Sequence, residues 1–88
     1  MSLILKYIWV VKTIHHAGRI TLKELNEKWR ANVDLSRGED LPRQTFDRWK
    51  SGILDLFGIL IDCEQRGGYH YYIANHKELS EGKLRTWL

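Results

Sequence analysis

Ile59-Leu60-Ile61-Asp62-Cys63-Glu64-Gln65-Arg66-Gly67-Gly68-Tyr69-His70-Tyr71-Tyr72-Ile73 is the stretch that decides the fold class. Ile59, Ile61 and Cys63 alternate with Leu60, Asp62 and Glu64, the period of two that marks a half-buried strand. Gly67-Gly68 admits the positive φ angles of a two-residue hairpin turn. Tyr69 to Ile73 is aromatic and β-branched enough to return beside the first strand. A β-hairpin is therefore expected after Gly58.

Upstream the period becomes helical. Phe46, Ile53 and Phe57 recur at helical intervals, with Pro42 suited to a first helical position and Gly58 to a terminator, which predicts a helix over about 43–57. Gly52 in its middle costs about 1 kcal/mol relative to alanine, so it implies close packing or a backbone approach. Asp34 to Leu41 is polar and reads as an exposed loop. Before it, Thr21-Leu22-Lys23-Glu24 matches a capping box. The helix it opens has Leu22, Leu25, Trp29 and Val33 on one face and is expected to run to about residue 33. Ile4, Tyr7, Ile8, Val11 and Ile14 give the Leu3–Ala17 segment a wide apolar stripe, ended by Gly18, and Arg19-Ile20 has room for a brief strand. The expected core is Ile8, Val11, Ile14, Leu25, Trp29, Phe46, Ile53, Phe57 and Ile61. Downstream, Asn75-His76-Lys77-Glu78 reads as the cap of a last helix, 76–88, carrying Leu79, Leu84, Trp87 and Leu88.

Composition narrows the class further. Eighty-eight residues support one core, and 43% hydrophobic with 28% charged residues excludes a disordered or fibrous chain. The longest apolar run, Tyr7-Ile8-Trp9-Val10-Val11, is far short of the roughly 20 residues of a bilayer span, so no membrane partner is expected. The amino-terminal residues lack the order of a secretory signal, and the cytoplasm is the expected compartment. Cys63 is the single cysteine, which excludes an internal disulfide. The net charge is +3 and the first acidic residue is Glu24, leaving Lys6, Lys12, Arg19 and Lys23 in a stretch without carboxylates. Such a stretch is either a solvated helix face or a phosphate-facing patch, and charge alone does not choose.

Helix, brief strand, helix, loop, helix and hairpin is the order of a winged helix-turn-helix. The expected fold is thus α+β: a three-helix core, a β-hairpin wing and an additional C-terminal helix. Several segments together carry a resemblance. They are Tyr7-Ile8-Trp9, Ala17-Gly18-Arg19-Ile20-Thr21-Leu22 with Leu25-Asn26 and Trp29, Arg43-Gln44-Thr45-Phe46, and Ile61-Asp62-Cys63-Glu64 leading into Arg66-Gly67-Gly68-Tyr69-His70-Tyr71-Tyr72-Ile73. In these the chain resembles the N-terminal DNA-binding part of bacterial WYL-domain transcriptional regulators, with a DeoR-like helix-turn-helix. The resemblance implies a DNA-binding domain over 1–75 and a connector helix over 76–88, truncated before a missing C-terminal sensor domain. It also implies double-stranded DNA as partner and a homodimer, here through the C-terminal helix.

On the 43–57 helix, with Phe46 at the centre of the buried face, Gln44, Arg48, Ser51 and Asp55 project outward and Asp47 lies at the flank. Glutamine can read adenine, arginine guanine, and aspartate can accept from cytosine N4, so this set is able to read base edges in a major groove. Arg43, in the first turn, is better placed for a phosphate. Arg66 beside Gly67-Gly68 would sit near the wing tip, where the resemblance implies contact with backbone or minor groove, and Arg19 and Lys23 complete the candidate DNA-binding set. The same positions are also what an ordinary solvated face presents. Tyr69, Tyr71 and Tyr72 are expected in cross-strand packing rather than base stacking.

No catalytic or metal site is expected, nor any cofactor. His15 and His16 point about 100° apart on a helix, and His70, His76 and Cys63 lack a zinc spacing. No glycine-rich loop leads from a strand into a helix, and no nucleophile is paired with a base at a motif spacing. Two functions therefore stand open: the DNA-binding module of a transcriptional regulator, or a winged helix used for protein–protein contact, since fold alone does not imply DNA.

Overall fold

The computed structural model describes residues 3–75 and Lys77. The expected 76–88 helix, and with it the connector and dimer assignments, thus lies outside the described residues except for Lys77. The elements are α1 (Leu3–Ala17), β1 (Ile20–Thr21), α2 (Leu22–Ala31), α3 (Val33–Ser36), α4 (Arg43–Phe57), β2 (Ile61–Glu64) and β3 (His70–Ile73). They form a small α+β domain in which four helices pack with a three-stranded antiparallel sheet of order β1-β3-β2.

Local chemistry sets each boundary. Gly18, at φ +78°, ends α1, and its N–H donates to the Ile14 carbonyl at 2.9 Å. The capping box forms as expected: the Glu24 N–H donates to Thr21 Oγ1, and the Thr21 N–H donates to Glu24 Oε1, each at 3.1 Å. α2 stops at Ala31, short of the expected residue 33, because the Asn32 backbone leaves the helical region at φ −86°, ψ 77°, and its carbonyl then accepts the Ser36 N–H as the chain turns into α3. Val33 consequently leaves the apolar face and is 62% exposed.

The expected exposed loop over 34–41 also differs. Ser36 is buried: its hydroxyl donates to the Asn32 carbonyl at 2.9 Å and accepts the Gly38 N–H at 3.0 Å. Leu41 is buried too, and its N–H donates to Asn26 Oδ1 at 2.7 Å, while Asn26 Nδ2 donates to Asp40 at 3.2 Å. One asparagine on α2 therefore fixes the approach to α4. α4 spans the predicted residues and ends at Gly58, φ +72°, although Pro42 is the residue before the first turn rather than within it.

The hairpin pairs Glu64 with His70, so five residues connect the strands, rather than two. Its turn is closed by the Gly68 N–H on the Gln65 carbonyl at 3.3 Å, which centres it on Arg66-Gly67. Gly67 and Gly68 both have the expected positive φ. β2 starts at Ile61, two residues later than the alternation implies, yet Ile59 is fully buried ahead of it. β1 extends the sheet on the far edge of β3, pairing Ile20 with Tyr71 and Thr21 with His70. Asn75, expected as a helix cap, clamps the connection into β2: it accepts the Leu60 N–H at 2.8 Å and donates to the Gly58 carbonyl at 2.7 Å.

Every residue of the expected core is buried. The buried set also includes Val10, Ile20, Leu41, Trp49, Ile59, Tyr71 and Ile73. Aromatic rings join the helices edge to face: Trp9 meets Trp29 at 5.1 Å, Trp29 meets Trp49 at 5.3 Å, and Trp49 meets Tyr7 at 6.5 Å. On the sheet side Phe46 meets Tyr71 at 4.9 Å.

The reason for Gly52 is close packing. A Cβ there would lie 2.1 Å from the Tyr7 hydroxyl and 2.7 Å from its ring carbon Cζ. Gly52→Ala should therefore destabilise the fold by ~1–3 kcal/mol through overpacking, although helix propensity alone would make it stabilising by about 1 kcal/mol. Urea denaturation of the two proteins measures the sign directly.

The capping box also carries a pH dependence. The Thr21 backbone N–H, then its hydroxyl, hold the Glu24 carboxyl below the ordinary carboxylate value, with smaller help from His70 and Lys28. A lowered folded-state pKa means that this stabilisation is complete above the ordinary value and is lost as pH falls through the folded one. A carboxyl-detected NMR titration should find Glu24 below the ordinary glutamate value, and Thr21→Val, which removes the hydroxyl but keeps the backbone N–H, should raise it part of the way back.

Candidate nucleic-acid interface

α4 is pinned along one side by Phe46, Trp49, Ile53 and Phe57, all buried, which turns the opposite side outward. Gln44, Asp47, Arg48, Ser51 and Asp55 are all exposed there, with Arg43 exposed in the first turn. Helical geometry puts Gln44, Arg48, Ser51 and Asp55 on one strip, as expected from spacing. Arg48 is not fully extended: its Nη2 donates to Thr45 Oγ1 at 3.4 Å.

The start of α4 is electrostatically positive. Pro42 supplies no side-chain cap, and the first turn contains no acid. The free N–H groups and the helix dipole are thus uncompensated, with Arg43 beside them. On the side toward α2, Lys6, Arg37, Glu39, Asp40 and Thr45 border a cavity of about 470 Å³ over Trp29 and Trp49. Asp40 is partly neutralised, since Arg30 Nε lies 3.5 Å from it. Lys6 Nζ stands 5.9 Å over the Trp49 ring.

The other candidates divide. Arg66 is exposed within the turn at the end of the hairpin, as expected. Lys23 is exposed in the first turn of α2. Arg19 is ion-paired with Glu64 and stands 5.6 Å over the Tyr72 ring. Tyr72 alternates with the buried Tyr71 and Ile73, so Arg19 occupies the outer face of the sheet, whereas α4 packs on the inner face through Phe46 and Tyr71. Arg19 and the α4 strip therefore belong to different surfaces. Of the three tyrosines, Tyr71 is in the core, Tyr72 is half-buried, and Tyr69 is 57% exposed beside the turn.

Sequence reasoning missed Lys50. Its side chain is 24% exposed, and its Nζ lies 3.1 Å from Asp47 Oδ1, 4.9 Å over Tyr71 and 5.3 Å over Phe46. The signal was present, for Lys50 stands three residues after Asp47 and four after Phe46, the separations at which helical side chains meet. Beside it Asp47, Ser51, Leu54, Leu60 and Ile61 line a hollow of about 290 Å³ between α4 and β2.

No family model, curated protein or solved structure matches this chain. Among the described residues, no group of three His, Cys, Asp or Glu side chains could hold a metal ion, and no helix is long and apolar enough to cross a membrane.

Proposed function

We propose that this domain is a winged helix-turn-helix that binds double-stranded DNA, with α4 as the recognition helix in the major groove and the β2–β3 hairpin as the wing. It acts as a binding module and not as a catalyst. The observation that carries the reading is α4 itself: a helix buried on one side, with base-reading side chains exposed on the other and an uncapped positive end flanked by Arg43. Oriented backbone N–H groups at a helix start suit a phosphate, which would set the register, while Gln44, Asp47, Arg48 and Ser51 meet base edges.

The element order and the sheet order β1-β3-β2 support the winged-helix assignment, because the wing then packs against the recognition helix through Phe46 and Tyr71. Arg66 at the turn reaches backbone or minor groove, and Lys23 supplies a further phosphate contact. Arg19 serves the sheet instead, by closing on Glu64. The sequence resemblance to the DNA-binding part of WYL-domain regulators points the same way and makes transcriptional regulation the setting.

A second reading has its own observation. Leu54 on α4 and Leu60 before β2, which border one hollow, are 44% and 41% exposed, which favours a protein contact at the carboxyl end of α4. The two readings differ in their response to salt. A single module neutralising about four phosphates has a log–log slope near −3.6, so duplex binding should fall roughly a hundredfold between about 50 and 200 mM salt. Fluorescence anisotropy with mixed duplex DNA measures it. Salt-independent binding, or none at low salt, would favour the protein-contact reading. Arg48→Ala should relax sequence preference at one position by ~1–3 kcal/mol, and Arg66→Ala should weaken all sequences alike. Identical behaviour of the two variants would remove Arg48 as a base reader.

A further inference from the structure

Lys50 differs from the other cations of α4. Arg43 and Arg48 are exposed, whereas the Lys50 side chain is three-quarters covered and its ammonium is held by rings and a carboxylate. The Phe46 and Tyr71 rings, themselves buried and edge to face, attract it. Asp47 Oδ1 takes it as well, at 3.1 Å. An ammonium in this position cannot swing out to a phosphate without leaving both rings and the carboxylate.

Asp47 is the other half of the arrangement. Its side chain is 51% exposed and borders the hollow between α4 and β2, so one carboxylate oxygen meets Lys50 while the group stays accessible. An uncompensated carboxylate on a surface facing a polyanion would be repelled. A carboxylate neutralised from behind by a fixed cation keeps its acceptor lone pairs and loses most of that penalty.

We propose that Lys50 is a positioning residue for Asp47: it holds the Asp47 carboxylate as the acceptor through which α4 selects a base carrying an exocyclic amino group, cytosine N4 in the first instance. The inference rests on the DNA-binding reading above. Lys50 itself touches neither base nor phosphate. Its effect appears in which sequences bind, not in how many phosphates are neutralised.

The test is a competition assay on a duplex library with randomised positions, using wild type, Lys50→Met, Lys50→Arg, Asp47→Ala and the double variant Lys50→Met/Asp47→Ala. Circular dichroism and thermal melting of each report folding. Lys50→Met should reduce the preference at one position about fivefold or more, as expected when an oriented base contact is lost. Asp47→Ala, which removes the acceptor, should lose the preference at that same position, the double variant should lose no more than either, and Lys50→Arg should keep it. The salt slope should be unchanged in Lys50→Met. A uniform loss of affinity with a slope smaller by about one would make Lys50 a phosphate ligand and overturn the inference. Lower melting temperature with every preference intact would reduce it to a packing residue, with the same consequence. Asp47→Ala removes the acceptor and leaves Lys50 its two rings, so even where Lys50→Met fails to fold, an intact preference in Asp47→Ala overturns the proposal. Failure of wild type to bind any duplex defeats the DNA-binding reading itself, whereas wild-type binding with an unchanged Lys50→Met preference defeats this inference alone.

Discussion

The structure depends on the aromatic chain that runs Trp9, Trp29, Trp49, Tyr7 through the helical side of the core. Its rings come in turn from α1, α2, α4 and α1 again, each meeting the next edge to face. Large rings are shape-specific, and a chain of them leaves little freedom for one helix to rotate against another. α4 feels this most, because Trp49 sits between Trp29 and Tyr7, and the Tyr7 hydroxyl fills the space that a Cβ on residue 52 would need. A single glycine therefore sets how closely α1 approaches α4.

From that constraint the rest of the surface follows. With Trp49 inward, Gln44, Arg48 and Ser51 must face solvent, and the Phe46 side of the helix must meet the sheet through Tyr71. Asn26 fixes the chain just before α4 by binding Leu41 and Asp40, so the helix starts at a defined place. Asn75 does the same for its exit by tying Gly58 and Leu60. The two sheet faces then acquire different chemistry. The inner face holds Tyr71 and Ile73 against the helices, while the outer carries Arg19 and Glu64 closed on each other over Tyr72.

Where periodicity was long and its punctuation chemical, the fold was legible in the sequence. α4 could be read to the residue because Pro42, a run of apolar residues at helical spacing and Gly58 all agreed, and the Thr21–Glu24 box named the start of α2 for the same reason. Errors arose where a tertiary bond decided. Val33 fits the apolar face of α2 by spacing, but Asn32 ends that helix first. Leu41 lies in the loop as expected but is buried rather than exposed, because Asn26 claims its N–H. Gly67-Gly68 announced a turn without revealing that strand pairing stops at Glu64 and His70, which leaves Arg66-Gly67 rather than the glycine pair at its centre. At the candidate site the outward strip of α4 was readable from one helix. Two features were not: the pairing of Arg19 with Glu64 needs the sheet, and the hold on Lys50 needs Tyr71, twenty-one residues away in the chain.

In the proposed function the outward strip of α4 and the tip of the hairpin form one DNA-facing surface, held by a core that does not change on binding. Amide chemical-shift mapping on the isotope-labelled chain, titrated with a mixed duplex library at low salt, is the decisive measurement. Shifts should concentrate at Arg43, Gln44, Asp47, Arg48 and Ser51 and across residues 65–69, with the outer sheet face around Arg19 and Tyr72 left unmoved. Shifts confined to the outer sheet face, or to the exposed pair Leu54 and Leu60, would rule it out.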